Sequence, residues 1–421
     1  MDYKVILGLR SPTLGGVEVF SINLARGLVR RNIPSRILIT RTYDPDPPAM
    51  KLPEGLHVDW LPVHLKDTWR NRWRAMIHYL EKQAPCIFIP NNDSEYSCVS
   101  PRLSRKVAIV GVLHADEFFH YEHVMRLGKY WNGIVAVSKT IAENAAFIEP
   151  QLGNRLVTIP CGVQVPKVYP KRNPTKEDPL RIIYAGRLVQ QQKRIMDLHA
   201  IVARLLEAGI RIQVTIVGDG PQRNEFESAC RDFVSRGTMR ILGVTPNEKV
   251  LEIFEQQDVI LLTSDFEGLP VCLLEAMGRG CIPVVTDIRS GIPEIIQDDW
   301  NGYIICHKDI GTFVQRIRTL REDLTKRQSI SMKAYETIRK DFQVESMVEN
   351  YIHLFERVRM EAATGIYERP SGPVIPPVRL TINWKDRLPT SVRNIGVAGK
   401  NIVRDAKRLF VKKPAYAREP L

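Results

Sequence analysis

The chain has 421 residues, 44% of them hydrophobic and 25% charged, an ordinary globular composition that excludes a largely disordered or collagen-like protein. Its net charge is +13, but residues 371–421 hold 11 Lys/Arg against 3 Asp/Glu while the rest carry 49 against 44. The basic excess therefore belongs mostly to a tail, and nucleic-acid binding ranks last among readings of the core.

The opening MDYKVILGLR carries charges and no long apolar stretch, a poor signal peptide. Aliphatic runs such as residues 107–113 fall well short of the ~20 residues of a bilayer span, which argues against an integral membrane protein. The seven cysteines are scattered without a C-x-x-C pair. They read as free thiols in a reducing compartment, with no zinc site, and a cytoplasmic location is expected.

Short apolar segments at residues 4–9, 36–40, 86–89, 107–113 and 134–137 read as buried strands, with helices expected at 17–30, 68–82 and 138–148. This alternation predicts a parallel sheet covered on both faces. The helix containing Trp69 and Trp73 is expected to face the core and expose its arginines. Residues 1–165 form the first expected domain, and the proline-rich, charged stretch 166–179 reads as a linker.

A second alternation fills residues 180–345, with strands expected at 181–185, 213–217, 240–242, 259–263, 282–286 and 303–306. Within it, Thr245-Pro-Asn-Glu248 spells a capping box with proline at the first helical position. A terminal helix over 346–360, beginning at 344, is expected to return to the first domain. The fold class is thus α/β: two doubly wound, Rossmann-like domains facing a central cleft, plus the basic tail 371–421. In such sheets ligands bind beyond the carboxyl ends of the strands, so the chemistry belongs on strand-to-helix loops.

The strongest candidate is Ser264-Asp-Phe-Glu267-Gly-Leu-Pro270 running on to Glu275. Pro270 is tolerated at the first helical position but not further in, which leaves Glu267 on the loop. Glu275 is then the sole charge in residues 271–277, a costly burial unless it is bonded. Ribose hydroxyls would satisfy it. Arg187 ends a strand and Lys193 follows in Gln190-Gln-Gln-Lys193, read as the opening of a helix. Cations there oppose the macrodipole, and a phosphate held by both would resolve the conflict. Gly15-Gly16 offers a close backbone approach to a phosphate, and Gly218-Asp-Gly-Pro221 reads as a structural turn.

Taken together, the Gly15-Gly16-Val17-Glu18 loop, Gly186-Arg187 with Lys193, Gly218-Asp-Gly-Pro221 and the E-x7-E pair Glu267/Glu275 resemble the retaining glycosyltransferases of family 4 (glycosyl transferases group 1, GT-B fold). The resemblance runs from about residue 4 to 360. It implies a UDP- or GDP-sugar donor held mainly by the second domain and a glycan or lipid-linked acceptor. In it Arg187 and Lys193 grip the diphosphate, and Gly16 approaches from the facing domain. Glu275 binds the ribose, Glu267 with Gly268 and Leu269 the donor sugar, and the backbone near Val244 the base. His114 matches the family's first-domain histidine beside the reacting sugar. The catalytic set is then His114, Arg187, Lys193 and Glu267, with retention of configuration by front-side displacement.

Two metal readings are set aside at this level, so no cofactor and no metal are expected. His114, His120 and His123 suggest a cluster, but His120 and His123 are expected on a helix surface. Asp44-Pro-Asp46 spells D-x-D in a proline-rich loop rather than at the end of a nucleotide-binding strand. Residues 391–413 place Ile395, Ile402 and Leu409 at heptad spacing beside Arg404, Lys407 and Arg408, which suits peripheral binding to an anionic membrane. Competing readings are a non-hydrolysing sugar-nucleotide epimerase on the same fold, and a non-catalytic module that binds glycan or polyanion.

Overall fold

The computed structural model describes residues 3–11, 15–41, 55–64, 66–91, 93–364 and 367–377. The D-x-D at 44–46 and the amphipathic segment 391–413 lie outside them. Seven parallel strands build the first sheet: β1 Lys4–Leu9, β2 Ser35–Ile39, β3 His57–Trp60, β4 Cys86–Ile89, β5 Val107–Leu113, β6 Gly133–Ala136 and β7 Leu156–Thr158, in the order β3-β2-β1-β4-β5-β6-β7. Six more build the second: β8 Leu180–Ala185, β9 Ile212–Val217, β10 Met239–Ile241, β11 Val259–Leu262, β12 Ile282–Thr286 and β13 Tyr303–Ile305, in the order β10-β9-β8-β11-β12-β13.

The central strands are apolar because helices cover both faces; all seven residues of β5 are buried. Sequence reading passes over β3 and β7, whose residues are all at least partly exposed. As edge strands they carry no continuous apolar run to betray them. Thr68 caps the helix Trp69–Gln83 by accepting from the Asn71 amide (3.2 Å). That helix buries Trp73, Met76 and Leu80 as expected, but also Arg72, whose guanidinium lies 4.7 Å from the Trp69 ring.

The helix Val344–Thr364 packs on the helix Gly16–Arg30 and on β5, so the end of the described chain completes the first domain's core. Tyr351 and Phe355 are fully buried there, with Tyr351 5.8 Å from Phe20 and Phe355 6.5 Å from Tyr3. Such aromatic burial stabilises by roughly 1.5–3 kcal/mol per side chain. No described helix is long and apolar enough to cross a membrane.

The two domains touch beside the cleft as well as through this helix. Ala115 bridges Gly268 in an antiparallel pair across the domain boundary, and within the second domain Gly291 N donates to Gly268 O at 2.8 Å. A Cβ on Gly268 would lie 2.0 Å from the His114 carbonyl oxygen, so only glycine permits this approach. Nearby, Glu294 of the second domain accepts from the Lys139 and Thr140 amides at 2.9 and 3.0 Å. It thereby satisfies the amino end of the helix Lys139–Ile148 from across the domain boundary.

Candidate active site

A doubly wound sheet opens a crevice where its strand order reverses. In the first sheet this is between β1 and β4, and in the second between β8 and β11. The two crevices face one another across a cleft of about 920 Å³. Gly15, Gly16, Asn91, Asp93 and His114 line one wall; Arg187, Lys193, Val244, Glu267, Gly268, Leu269 and Glu275 line the other. Every residue singled out in the sequence for donor binding or catalysis is therefore on this cleft.

Lys193 Nζ lies 2.5 Å from Glu267 Oε1, with both side chains largely buried. Ser264 Oγ donates to the same Glu267 oxygen at 2.6 Å. Burial alone would lower the Lys193 pKa, but the Glu267 carboxylate outweighs it and the pKa is raised. Lys193 is thereby held in its charged form. Arg187 instead donates to the Gln192 amide oxygen at 2.6 Å, which leaves its positive charge uncompensated by any hydrogen-bonded carboxylate among the described residues.

Two expectations are corrected here. Gln190–Lys193 is a single turn, closed by Arg194 at φ 49° and ψ 48°, and the long helix starts at Ile195. Thr263 Oγ1 donates to the Lys193 carbonyl at 2.9 Å, taking a bond that would otherwise continue the helix. Lys193 thus ends a turn rather than opening a helix, and the anion grip rests on side-chain charge. Pro270 occupies the N-cap of the helix Val271–Met277, one residue earlier than expected. Glu267 remains on the loop.

Glu275 is buried and bonded to Asn247 Nδ2 at 2.9 Å, and burial raises its pKa to about 7. The expected capping box at Thr245–Glu248 is not formed. The helix Asn247–Glu255 starts after Pro246 without a side-chain cap, while Thr245 Oγ1 donates to the Gly243 carbonyl at 3.2 Å. Val244 is 44% exposed on the rim. Gly218 sits at φ 128°, where a Cβ would lie 1.9 Å from the Gly186 carbonyl oxygen. Gly218 and Asp219 of this turn also line the cleft.

On the opposite wall, Asn91 Nδ2 donates to the Gly8 carbonyl at 2.9 Å, so its Oδ1 is the acceptor facing His114 Nε2 at 2.9 Å. His114 therefore carries its proton on Nε2 and presents the Nδ1 lone pair. Burial pushes its pKa down to about 3, with His120 lowering it further, and the ring is neutral. The Ala115–Gly268 bridge brings His114 beside the Glu267 loop. The expectation of surface histidines is overturned: His120 and His123 are 5% and 7% exposed. The helix Phe118–Leu127 turns them inward, because Phe118, 69% exposed, takes the outer face instead. His123 Nε2 bonds Ser97 Oγ at 2.7 Å, whereas His120 lines the cleft. No three His, Cys, Asp or Glu side chains among the described residues converge as a metal site.

Sequence reasoning missed Asn91, Asp93, Asn247 and His120. A signal existed for the first two, since Asn91 and Asp93 follow directly on the carboxyl end of β4. Asp93 Oδ2 accepts from Thr40, and burial raises the pKa to about 7.

Two Rossmann-like domains with facing crevices constitute the GT-B fold. Residues 167–337 match the family model for glycosyl transferases group 1. A colanic acid biosynthesis glycosyltransferase described as putative, WcaL of Escherichia coli K12, is 29% identical over 188 residues, covering 43% of this chain and 46% of that protein. The amylovoran biosynthesis glycosyltransferase AmsK of Erwinia amylovora is 31% identical over 150 residues, covering 34% and 36%. The chain thus spans less than half the length of these curated relatives. Among solved structures, the pneumococcal O-GlcNAc transferase GtfA with UDP and GlcNAc superposes with a TM-score of 0.69 at 12% identity, covering 85% of this chain and all of that one.

Proposed function

We propose that the protein is a retaining glycosyltransferase that moves a hexose-type unit from a nucleotide-diphosphate donor to a glycan or lipid-linked acceptor hydroxyl, in the synthesis of a cell-surface polysaccharide or glycolipid. The observation that carries this reading is the convergence of Arg187, Lys193, Glu267 and Glu275 at the second domain's crevice, facing Gly15-Gly16 and His114. The relatives named for colanic acid and amylovoran point to the same class of product.

In this reading the donor diphosphate lies against Arg187 and Lys193, the ribose hydroxyls bond Glu275, and the base rests near Val244. Glu267 and the Gly268–Leu269 amides hold the donor sugar beside His114. As the bond from the anomeric carbon to the diphosphate oxygen breaks, charge builds on the diphosphate, and the two cations stabilise it where it develops. The acceptor oxygen bonds the same face of the carbon, and its proton passes to the departing diphosphate. No metal or cofactor is required by this scheme.

The test is thermal unfolding with UDP, GDP and ADP. A ligand at 100 times its Kd stabilises by about 2.7 kcal/mol. A shift with one nucleotide, lost in Glu275→Ala, is expected; no shift with any of them, from folded protein, would sink the reading.

A further inference from the structure

We propose that His120 is an acceptor-side residue, hydrogen-bonding a hydroxyl of a sugar acceptor that enters the cleft across Phe119. This deepens the glycosyl-transfer reading and rests on it.

Three histidines lie on the first-domain side of the cleft, and the structure accounts for two of them. His123 is sealed against Ser97, and the Nε2 of His114 is held by Asn91. The His120 ring is 5% exposed, lines the cleft, and has no hydrogen-bond partner among the described residues. Its neighbour on the helix, Phe119, packs edge-on against it with ring centroids 5.6 Å apart. An imidazole withdrawn from water without a partner is costly, and what it faces is the cleft itself.

The chemistry of that wall selects an uncharged polyol. Burial lowers the His120 pKa to about 4, so the ring is neutral and offers one donor and one acceptor, matching a hydroxyl that is both. Arg10, a cation on this wall, is paired with Glu95 at 3.3 Å, whereas the uncompensated charge of Arg187 belongs to the opposite wall. Phe119 also lines the cleft and supplies an apolar surface for the C–H face of a sugar ring. The uncompensated cation and this neutral, aromatic subsite thus lie on opposite walls.

The experiment titrates protein saturated with whichever of UDP and GDP stabilises it with methyl glucoside, methyl galactoside and methyl mannoside. Binding is read from the Cε1 resonances of 13C-labelled histidines, with His120 assigned by its loss in His120→Gln. At least one glycoside should shift the His120 resonance. His120→Gln and Phe119→Ala should each weaken that glycoside by about tenfold, the order of one lost contact, while the nucleotide's stabilising shift persists. An unmoved His120 resonance with all three glycosides, or wild-type glycoside affinity in His120→Gln, overturns the proposal. If neither nucleotide stabilises the wild-type protein, the failure belongs to the glycosyl-transfer reading instead. Phe119→Ala alters a partly exposed ring and so reports on the subsite even if His120→Gln folds poorly.

Discussion

Lys193 Nζ and Glu267 Oε1 lie 2.5 Å apart in the wall of the cleft, although 74 residues separate them in sequence. Each neutralises the other where both side chains are largely withdrawn from water, so neither can be removed without consequence for its partner.

This pair sets the first prediction. Lys193→Gln should lower turnover by roughly 10²–10³-fold, as loss of a preorganised transition-state contact does. It should also destabilise the fold, because Glu267 keeps only Ser264. The double variant Lys193→Gln/Glu267→Gln should regain stability without regaining turnover. Paired measurements of Tm and kcat check this, and a double variant recovered in both would show the pair to be structural.

Glu275 sets a pH dependence. Burial raises its folded pKa to about 7 from an ordinary 4.5. Between those values the folded state binds the proton more tightly than the unfolded one, so the contribution of Glu275 to stability falls as pH rises through the window. A tenfold difference in proton affinity between the two states corresponds to about 1.4 kcal/mol. Relative to wild type, Glu275→Gln should therefore gain stability steadily from pH 4.5 to 7 and level off above it. Urea unfolding across that range is the measurement, and a pH-independent difference would contradict it.

The contact between domains depends on Gly268 and Glu294. The Glu294 carboxylate meets the Lys139 and Thr140 amides, a helix-end contact worth up to about 1 kcal/mol at an exposed site. Glu294→Ala should increase the radius of gyration in small-angle scattering and raise the donor KM. Gly268→Ala should do so more strongly, because its Cβ would collide with the His114 carbonyl. Unchanged scattering from both variants would show that these contacts do not hold the cleft closed.

The basic segment 391–413 carries the membrane proposal. Charge reversal at Arg404, Lys407 and Arg408 should abolish binding to phosphatidylglycerol vesicles in a flotation assay, since each basic residue near such a surface contributes about 1 kcal/mol. Retained flotation would assign vesicle binding to another surface.

The amino-acid sequence by itself determined the fold class and the second-domain wall of the cleft. Strand alternation and the loops after each strand are local features, and Arg187, Lys193, Glu267 and Glu275 stand in a few short motifs whose chemistry is legible from neighbours alone. The helix starts differ from local propensity where other groups take the bonds: Thr263, 70 residues away, bonds the Lys193 carbonyl, and the Thr245 hydroxyl goes to the Gly243 carbonyl instead of capping. The first-domain wall was legible only at Gly15-Gly16 and His114, and the tertiary structure decided the rest of it. Asn91 meets His114 across 23 residues, and Glu294 meets Thr140 across 154. The inward turn of His120 follows from which face of a short helix the sheet covers. No periodicity in residues 118–127 carries that information, because the burial of a polar ring is set by what packs against it.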